Sequence, residues 1–176
     1  MIPWARLGKR HDAFQYICDN LPPACCIVET GSIRELGNWE GDGQSTIVWD
    51  TLATERGGSV ITIDIDPIGA QLIAELGLQS TTAIVGDSLE VIPTLSGPVD
   101  FLYLDSFDVN FHDPLPAAAH HLAELTAALD LLRPGSIVAV DDNIEGVGKG
   151  SEVAWFLEGH GAPEIVSGYV RAWRIP

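Results

Sequence analysis

Four stretches of the chain are almost continuously apolar, and each ends in an acidic or hydroxyl residue. They cover residues 24–30, 59–66, 99–105 and 136–142, and a weaker stretch of the same form covers 81–87. Apolar runs without alternation are typical of strands that are covered on both faces, as in a parallel sheet. The pattern therefore predicts five parallel strands.

Segments with a helical spacing of apolar residues lie between these strands. The predicted helices cover about residues 44–56, 68–76, 88–95 and 116–132. Because strands and helices alternate, we expect an α/β fold with a doubly wound, Rossmann-like and mainly parallel sheet.

The two ends of the chain depart from this alternation. Residues 5–20 and 151–158 predict further helices. The tail predicts a β-hairpin that turns at Ser167 and Gly168, which would give the sheet an antiparallel edge. Only about 23 residues precede the first strand, so we expect a single domain over residues 1–176.

The charge balance narrows the choice of partners. There are 9 Lys and Arg residues against 25 Asp and Glu, which gives a net charge of −16. Such a chain is poorly suited to bind nucleic acid or an anionic membrane surface. No apolar run reaches the ~18 residues of a membrane span and no signal-like segment follows the start, so we expect a cytoplasmic protein.

Acidic residues gather where the predicted strands end. In open α/β sheets, ligands bind beyond the carboxyl ends of the strands. The mutual repulsion of so many acidic residues would be costly unless cations or hydroxyl groups compensate it. Each acid by itself, however, could simply be a solvated residue at the end of a strand. As a group they predict a ligand site, formed by Glu29, Asp64, Asp66, Asp87, Asp105, Asp108, Asp141 and Asp142.

The segment after the first strand is rich in glycine. Gly31 and Gly43 can let the backbone approach a ligand, and Ser45 or Thr46 lies near a helix start, where free N–H groups favour an anion. The spacing differs from the G-x-G-x-x-G dinucleotide motif. Asp64, at the end of the second strand, is suited to accept both hydroxyls of a ribose. These residues predict a ligand that contains adenosine.

The order of the strand-end motifs resembles the class I S-adenosylmethionine-dependent methyltransferases. Within that class the small metal-dependent O-methyltransferases, of the catechol and of the macrocin and novobiocin types, are the most similar. The resemblance covers about residues 24–145. It rests on ETG at 29–31, VITIDID at 60–66, GDSLEVIP at 86–93, FLYLD at 101–105 and VDDN at 140–143.

This resemblance implies how S-adenosylmethionine would be bound. Glu29 and Gly31 would contact its methionine part, and Asp64 its ribose. Asp87 and Ser88 would contact the edge of the adenine. The long insert at residues 32–42 departs from the family pattern, and its Trp39 either packs the insert or lines the substrate pocket.

Asp105, Asp141 and Asp142 are candidate metal ligands. Two adjacent strands that end in carboxylates can present several oxygens to one hard cation. The resemblance implies that Mg²⁺ or another divalent cation there would chelate the acceptor and lower the pKa of its hydroxyl group. Asp105 would also border the cofactor. Alternatively, Asp142 and Asn143 cap the turn after the fifth strand.

Two residues are candidates for the base that accepts the proton of the acceptor. Asp108 follows Asp105 by three positions, and His121 lies on the apolar face of its helix, where a packing role is the alternative. Lys149 either neutralises an anionic substrate group or is a solvated loop residue. The helix acid Glu124 is interpreted as a surface residue.

The sequence therefore predicts an enzyme that moves the methyl group of S-adenosylmethionine to an oxygen of a small-molecule acceptor. Two other classes are compatible with the fold. One is a nicotinamide-dependent oxidoreductase, which the glycine spacing opposes, and the other is a module that binds S-adenosylmethionine without catalysis. A second copy of the chain could complete so open a site, so a homo-oligomer is also compatible.

Overall fold

Seven strands form the main sheet in the computed structural model, which describes residues 1–41 and 44–176. A separate two-stranded hairpin follows the fifth strand. In chain order the strands are β1 (Cys26–Thr30), β2 (Ser59–Asp64), β3 (Thr81–Val85), β4 (Val99–Leu104), β5 (Leu132–Val140), β6 (Asn143–Ile144), β7 (Val147–Gly148), β8 (Glu164–Val166) and β9 (Arg171–Arg174).

The order of the strands in the main sheet is β3-β2-β1-β4-β5-β9-β8. The first five are parallel, whereas β9 runs antiparallel to both β5 and β8. The predicted doubly wound sheet with an antiparallel hairpin at its edge is thus confirmed. The order reverses at β1 and β4, so a crevice forms beyond the carboxyl ends of these central strands.

Helices connect the strands close to the predicted positions. The N-terminal segment differs from the prediction, because two short 3₁₀ turns precede its helix. No helix in the described part of the chain is long and apolar enough to cross a membrane. The helices are α1 (His11–Asn20), α2 (Ser45–Arg56), α3 (Ile68–Leu76), α4 (Ser88–Val91), α5 (Leu115–Ala128) and α6 (Ser151–Gly159).

The core has two layers, one on each face of the sheet. Successive side chains of a strand point to opposite faces. Phe101 and Tyr103 of β4 therefore pack with Phe14 and Trp49 on one face, with the rings of Trp49 and Phe101 centred 5.0 Å apart. Leu102 and its neighbours pack under α5 and α6 on the other face. Coverage of both faces explains why the strands are continuously apolar.

Candidate active site

A cavity of about 440 Å³ lies beyond the carboxyl ends of β2, β3 and β4. Its volume is in the range of sites that bind small molecules and cofactors. The predicted residues Asp64, Asp87 and Ser88 lie together on its wall, and so do three residues that the sequence did not indicate, Ile65, Phe107 and His120.

Backbone groups hold the carboxylate of Asp64 in a fixed orientation. The N–H of Ser32 donates to Oδ2 at 2.8 Å, and the N–H of Asp66 donates to Oδ1 at 2.9 Å. Each carboxylate oxygen can accept more than one hydrogen bond, so both oxygens can still accept from a ligand. Asp64 therefore combines a fixed position with capacity for two hydroxyl groups.

Asp87 and Ser88 use their side chains differently. Asp87 caps α4, because its Oδ1 accepts from the N–H of Leu89 at 2.9 Å. Ser88 is buried, and its hydroxyl donates to Oε1 of Glu124 at 2.5 Å. The Ser88 hydroxyl is therefore engaged inside the protein, whereas the carboxylate of Asp87 is exposed beside the cavity.

Glu124 is completely buried, so its interpretation as a surface acid was wrong. Its carboxylate accepts from the hydroxyls of Thr30 at 3.1 Å, Ser88 at 2.5 Å and Ser106 at 2.6 Å. Nε2 of His120 lies 3.3 Å from Oε1. Glu124 thus connects α5 to the ends of β1, β3 and β4, and it supports the cavity wall from behind.

The pKa shifts of Glu124 and His120 favour the ionised form of both groups. Burial by itself would raise the pKa of Glu124, but the neighbouring imidazoles and the serine hydroxyls more than offset it, so the pKa is lowered. The hydrogen bond to Glu124 raises the pKa of His120. A sequence signal existed, because Glu124 follows the buried His121 by three positions and so shares its helix face.

Glu29 and Gly31 lie where β1 ends. Glu29 is fully buried, and its Oε2 accepts from the hydroxyls of Thr46 at 2.6 Å and Thr62 at 2.8 Å. Its Oε1 has no partner among the described residues. Burial raises the pKa of Glu29 to about 7, although the hydroxyl groups oppose this. Gly31 has φ +80°, and a Cβ there would lie 2.6 Å from the carbonyl oxygen of Asp105.

Ser45 and Asp105 border a second, much smaller pocket together with Arg10 and Trp39. The guanidinium of Arg6 lies 5.1 Å from the centre of the Trp39 ring. Trp39 is half-buried, packs against the core and borders this small pocket. The predicted cofactor residue Gly43 lies outside the described residues.

The structure does not support the predicted metal site. Nζ of Lys149 lies 2.5 Å from Oδ1 of Asp105 and 2.8 Å from Oδ2 of Asp142. Nε of Arg10 donates to Oδ2 of Asp141 at 2.5 Å. Lys149 and Arg10 thus occupy one oxygen of each of the three carboxylates and already compensate their charge, so the three residues do not fit a divalent cation. Within residues 1–41 and 44–176, no group of three or more His, Cys, Asp or Glu is arranged for a metal.

The side chain of Lys149 is buried, with 1% of its surface exposed. Its interpretation as a solvated loop residue was therefore wrong. Burial alone would lower its pKa, but the charges of Asp105 and Asp142 outweigh this, so the pKa is raised. Burial raises the pKa of Asp105 and of Asp141, against the effects of Lys149 and Arg10 respectively. The ion pairs with Asp105 and Asp142 therefore favour the charged form of Lys149.

The two candidate bases lie in different surroundings. Asp108 is exposed, and its oxygens accept from the guanidinium of Arg34 at 3.1 and 3.3 Å, which lowers the pKa of the carboxyl group. His121 is fully buried, and its Nδ1 lies 2.6 Å from the carbonyl oxygen of Ala117. Burial lowers the pKa of His121 to about 4. His120, rather than His121, faces the cavity.

A comparison with known families assigns the chain. The profile of a family described as a methyltransferase domain matches residues 35–143, which is more than half of the sequence. The chain belongs to this methyltransferase family. The match contains the ends of β2, β3, β4 and β5, and with them the wall of the 440 Å³ cavity.

Solved structures similar to the methyltransferase establish its fold. The N-methyltransferase NodS from Bradyrhizobium japonicum has a TM-score of 0.64 at 11% identity, over 99% of this chain and 97% of that one. An rRNA methylase from Streptococcus thermophilus has a TM-score of 0.57 at 15% identity, over 93% and 94%.

A third structure is larger than this methyltransferase. MycE, a methyltransferase of the mycinamycin biosynthetic pathway in complex with Mg, SAH and mycinamycin VI, has a TM-score of 0.62 at 18% identity. The alignment covers 93% of this chain and 48% of MycE. No curated protein matches the methyltransferase.

Proposed function

We propose that this methyltransferase moves the methyl group of S-adenosylmethionine to an oxygen of a small molecule, with residues 1–176 acting as one catalytic domain. One observation carries the proposal. Inside the 440 Å³ cavity, the backbone N–H groups of Ser32 and Asp66 fix both carboxylate oxygens of Asp64. Membership of the methyltransferase family supports the chemistry.

The walls of the cavity suit an adenosine group. The carboxylate of Asp64 would accept the two ribose hydroxyls in charge-assisted bonds. Ile65 is 74% exposed and Phe107 is 44% exposed, although both are large and apolar. A purine that stacks on such side chains would remove them from water. Asp87 would accept from the adenine amino group at the same wall.

The methionine part would extend toward the end of β1. Gly31 has no side chain, and this lets the end of β1 approach the backbone of Asp105 more closely than a Cβ would permit. Glu29 offers Oε1, a buried acceptor without a partner among the described residues. S-adenosylmethionine, when bound, supplies a methyl group on a positively charged sulfur. The contribution of the protein is then to hold an acceptor oxygen in line with that group.

Within this proposal Asp108 is the group that accepts the proton of the acceptor. It is an exposed carboxylate in the loop after β4, and Arg34 keeps it ionised. A carboxylate with a lowered pKa is a weak base, so it suits acceptors whose hydroxyl is itself acidic, such as phenols. His121 has no exposed surface, and the proposal gives it the packing role.

Calorimetry with S-adenosylhomocysteine tests the cofactor site. We expect the wild type to bind it and Asp64→Asn to bind it ~10- to 100-fold more weakly, because two charge-assisted bonds are lost. Asp130→Asn is the matched control, since Asp130 is exposed and lies in the turn before β5, far from the carboxyl ends of the strands. Equal affinity of Asp64→Asn and wild type, or tighter binding of NAD, would reject the proposal.

Methyl transfer itself is tested with S-adenosylmethionine that carries a ¹³C-labelled methyl group. The protein would be incubated with a panel of phenols, alcohols and amines, and the product would be analysed by carbon NMR. We expect the label at the chemical shift of an O-methyl group. A label on nitrogen would contradict the choice of oxygen, and cofactor binding without any transfer would favour the non-catalytic module.

A further inference from the structure

The charge cluster where β4 and β5 end contains two fixed cations in addition to three carboxylates. Lys149 bridges Asp105 and Asp142, with Nζ···O distances of 2.5 and 2.8 Å. Arg10 pairs with Asp141, whose Oδ2 also accepts from the hydroxyl of Tyr103 at 2.8 Å. Both cations are buried, with 1% and 9% of their side chains exposed.

The two cations carry the same total charge as one divalent metal ion. Three carboxylates with Arg10 and Lys149 have a formal charge of −3 + 2 = −1, and three carboxylates with Mg²⁺ would have the same charge. Unpaired buried carboxylates are costly, so a cluster of this kind needs a compensating charge from some source. In this protein the chain itself supplies that charge.

The local backbone is built to bring Lys149 to this position. After β5, the hairpin of β6 and β7 turns the chain back, so that the N–H of Lys149 donates to the carbonyl oxygen of Asp142 at 3.3 Å. Gly148 has φ +153°, and a Cβ there would lie 2.1 Å from that same oxygen. The N–H of Gly150 donates to the side chain of Asn143 at 2.9 Å.

Arg10 is held as firmly from the other end of the chain. Its Nη1 donates to the carbonyl oxygen of Glu40 at 2.8 Å, and its guanidinium lies 5.2 Å from the ring centre of Tyr169. The hydroxyl of Tyr169 in turn donates to Asp142. The cluster therefore joins the N-terminal segment, the insert and the C-terminal hairpin around three carboxylates.

We propose that Lys149 and Arg10 replace a divalent cation at this site, and that removal of the Lys149 ammonium uncovers a latent site for such a cation. Lys149 is then a positioning residue that holds Asp105 and Asp142 in place. The consequence for catalysis rests on the proposed function. The acceptor would then not be chelated by a metal, because cations of the protein itself occupy these carboxylates.

A titration with Mn²⁺ tests this directly and needs no methyl transfer. Binding is measured as the loss of the EPR signal of the free ion. We expect the wild type to bind no Mn²⁺ at the site and Lys149→Ala to bind one ion with a Kd of about 10⁻⁴ M or tighter. Adding Asp142→Asn to Lys149→Ala should weaken that binding at least tenfold, because a ligand is lost.

Lys9→Ala is the matched control. Lys9 is the other lysine of the chain, and its ammonium lies 5.0 Å from the Tyr169 ring, near the cluster but outside its ion pairs. If loss of a nearby charge were sufficient, Lys9→Ala would also gain Mn²⁺ binding. We expect it to behave as the wild type.

Two results would overturn the proposal. One is stoichiometric Mn²⁺ binding by the wild type that Asp142→Asn abolishes, a measurement that remains decisive even if Lys149→Ala does not fold. The other is a folded Lys149→Ala that binds Mn²⁺ no better than the wild type. Calorimetry with S-adenosylhomocysteine on the same samples shows separately whether the cofactor proposal holds.

Discussion

At the scale of single residues, Glu29 is an ionisable group in an unusual environment. It has no contact with water, two threonine hydroxyls donate to Oε2, and Oε1 has no partner among the described residues. Burial raises its pKa from an ordinary value of 4.5 to about 7. The folded protein therefore binds a proton at Glu29 more tightly than the unfolded chain does.

This shift predicts a pH-dependent difference between the wild type and Glu29→Gln. A raised carboxyl pKa means that the folded state binds more protons between pH 4.5 and 7, so this residue lowers stability as pH rises through that window. The glutamine side chain of the variant is neutral, and its carbonyl oxygen can still accept from Thr46 and Thr62. We expect no difference near pH 4 and a variant more stable by up to about 3 kcal/mol near pH 8.

Urea unfolding of both proteins at several pH values measures this difference. Other groups, such as His121, titrate equally in both proteins, so their contributions cancel when the two free energies are subtracted. Glu75→Gln is the control, because Glu75 is exposed on α3. Its difference from the wild type should stay within about 0.5 kcal/mol throughout. A difference that stays constant with pH for Glu29→Gln would show that Glu29 has the same pKa in the folded and unfolded states, and it would contradict the raised pKa.

At the scale of elements, the predictions from the sequence succeeded where the structure is repetitive. The helix predicted at 68–76 has these bounds, and all five apolar runs became strands. Strands that are covered on both faces are apolar at nearly every position, which makes them easy to recognise in a sequence. Strand β5 begins at Leu132, four residues before the predicted start, and the small hairpin of β6 and β7 was not predicted.

The candidate site was predictable only in part, for a physical reason. Asp64, Asp87 and Ser88 meet in the cavity because parallel strands bring their ends to one edge. The partner of Asp141, in contrast, is 131 positions away in the sequence. Periodicity contains no information about such a contact, so Arg10 was missed and the carboxylates of the cluster were interpreted as metal ligands.

Gly148 shows how one small element, the hairpin of β6 and β7, determines the position of Lys149. We expect Gly148→Ala to lower the free energy of unfolding by about 2 to 4 kcal/mol, because its Cβ would overlap the carbonyl oxygen of Asp142 at a positive φ. Gly146→Ala is the control. It also has a positive φ, +82°, but no atom lies within 4 Å of its added Cβ, so about 1 kcal/mol is expected.

A second measurement links this change to the cluster. Acetylation of amines, followed by mass spectrometry, should leave Lys149 unmodified in the wild type because its side chain is buried. In Gly148→Ala the hairpin has to move, so Lys149 should become reactive. Protection of Lys149 that equals the wild type, together with unchanged stability, would show that the hairpin accommodates the methyl group.

At the scale of the whole molecule, the distribution of charge limits the choice of acceptor. Nine basic residues face 25 acidic ones, and Arg10 and Lys149 are enclosed in the cluster. Several others are paired with acids at the surface, as Arg34 is with Asp108 and Arg171 with Glu164. Few cations are left to contact a phosphate backbone, whereas RNA binding requires several of them on one surface.

We therefore expect no significant binding of RNA, although an rRNA methylase shares the fold. Fluorescence anisotropy with a labelled rRNA hairpin should give a Kd weaker than about 10⁻⁴ M near 150 mM salt, since each contact to phosphate depends on a released counterion. Saturating S-adenosylhomocysteine should not change this result, because cofactor binding adds no cationic surface. Binding below about 1 μM that weakens steeply with salt would reveal a basic surface and would contradict the small-molecule acceptor.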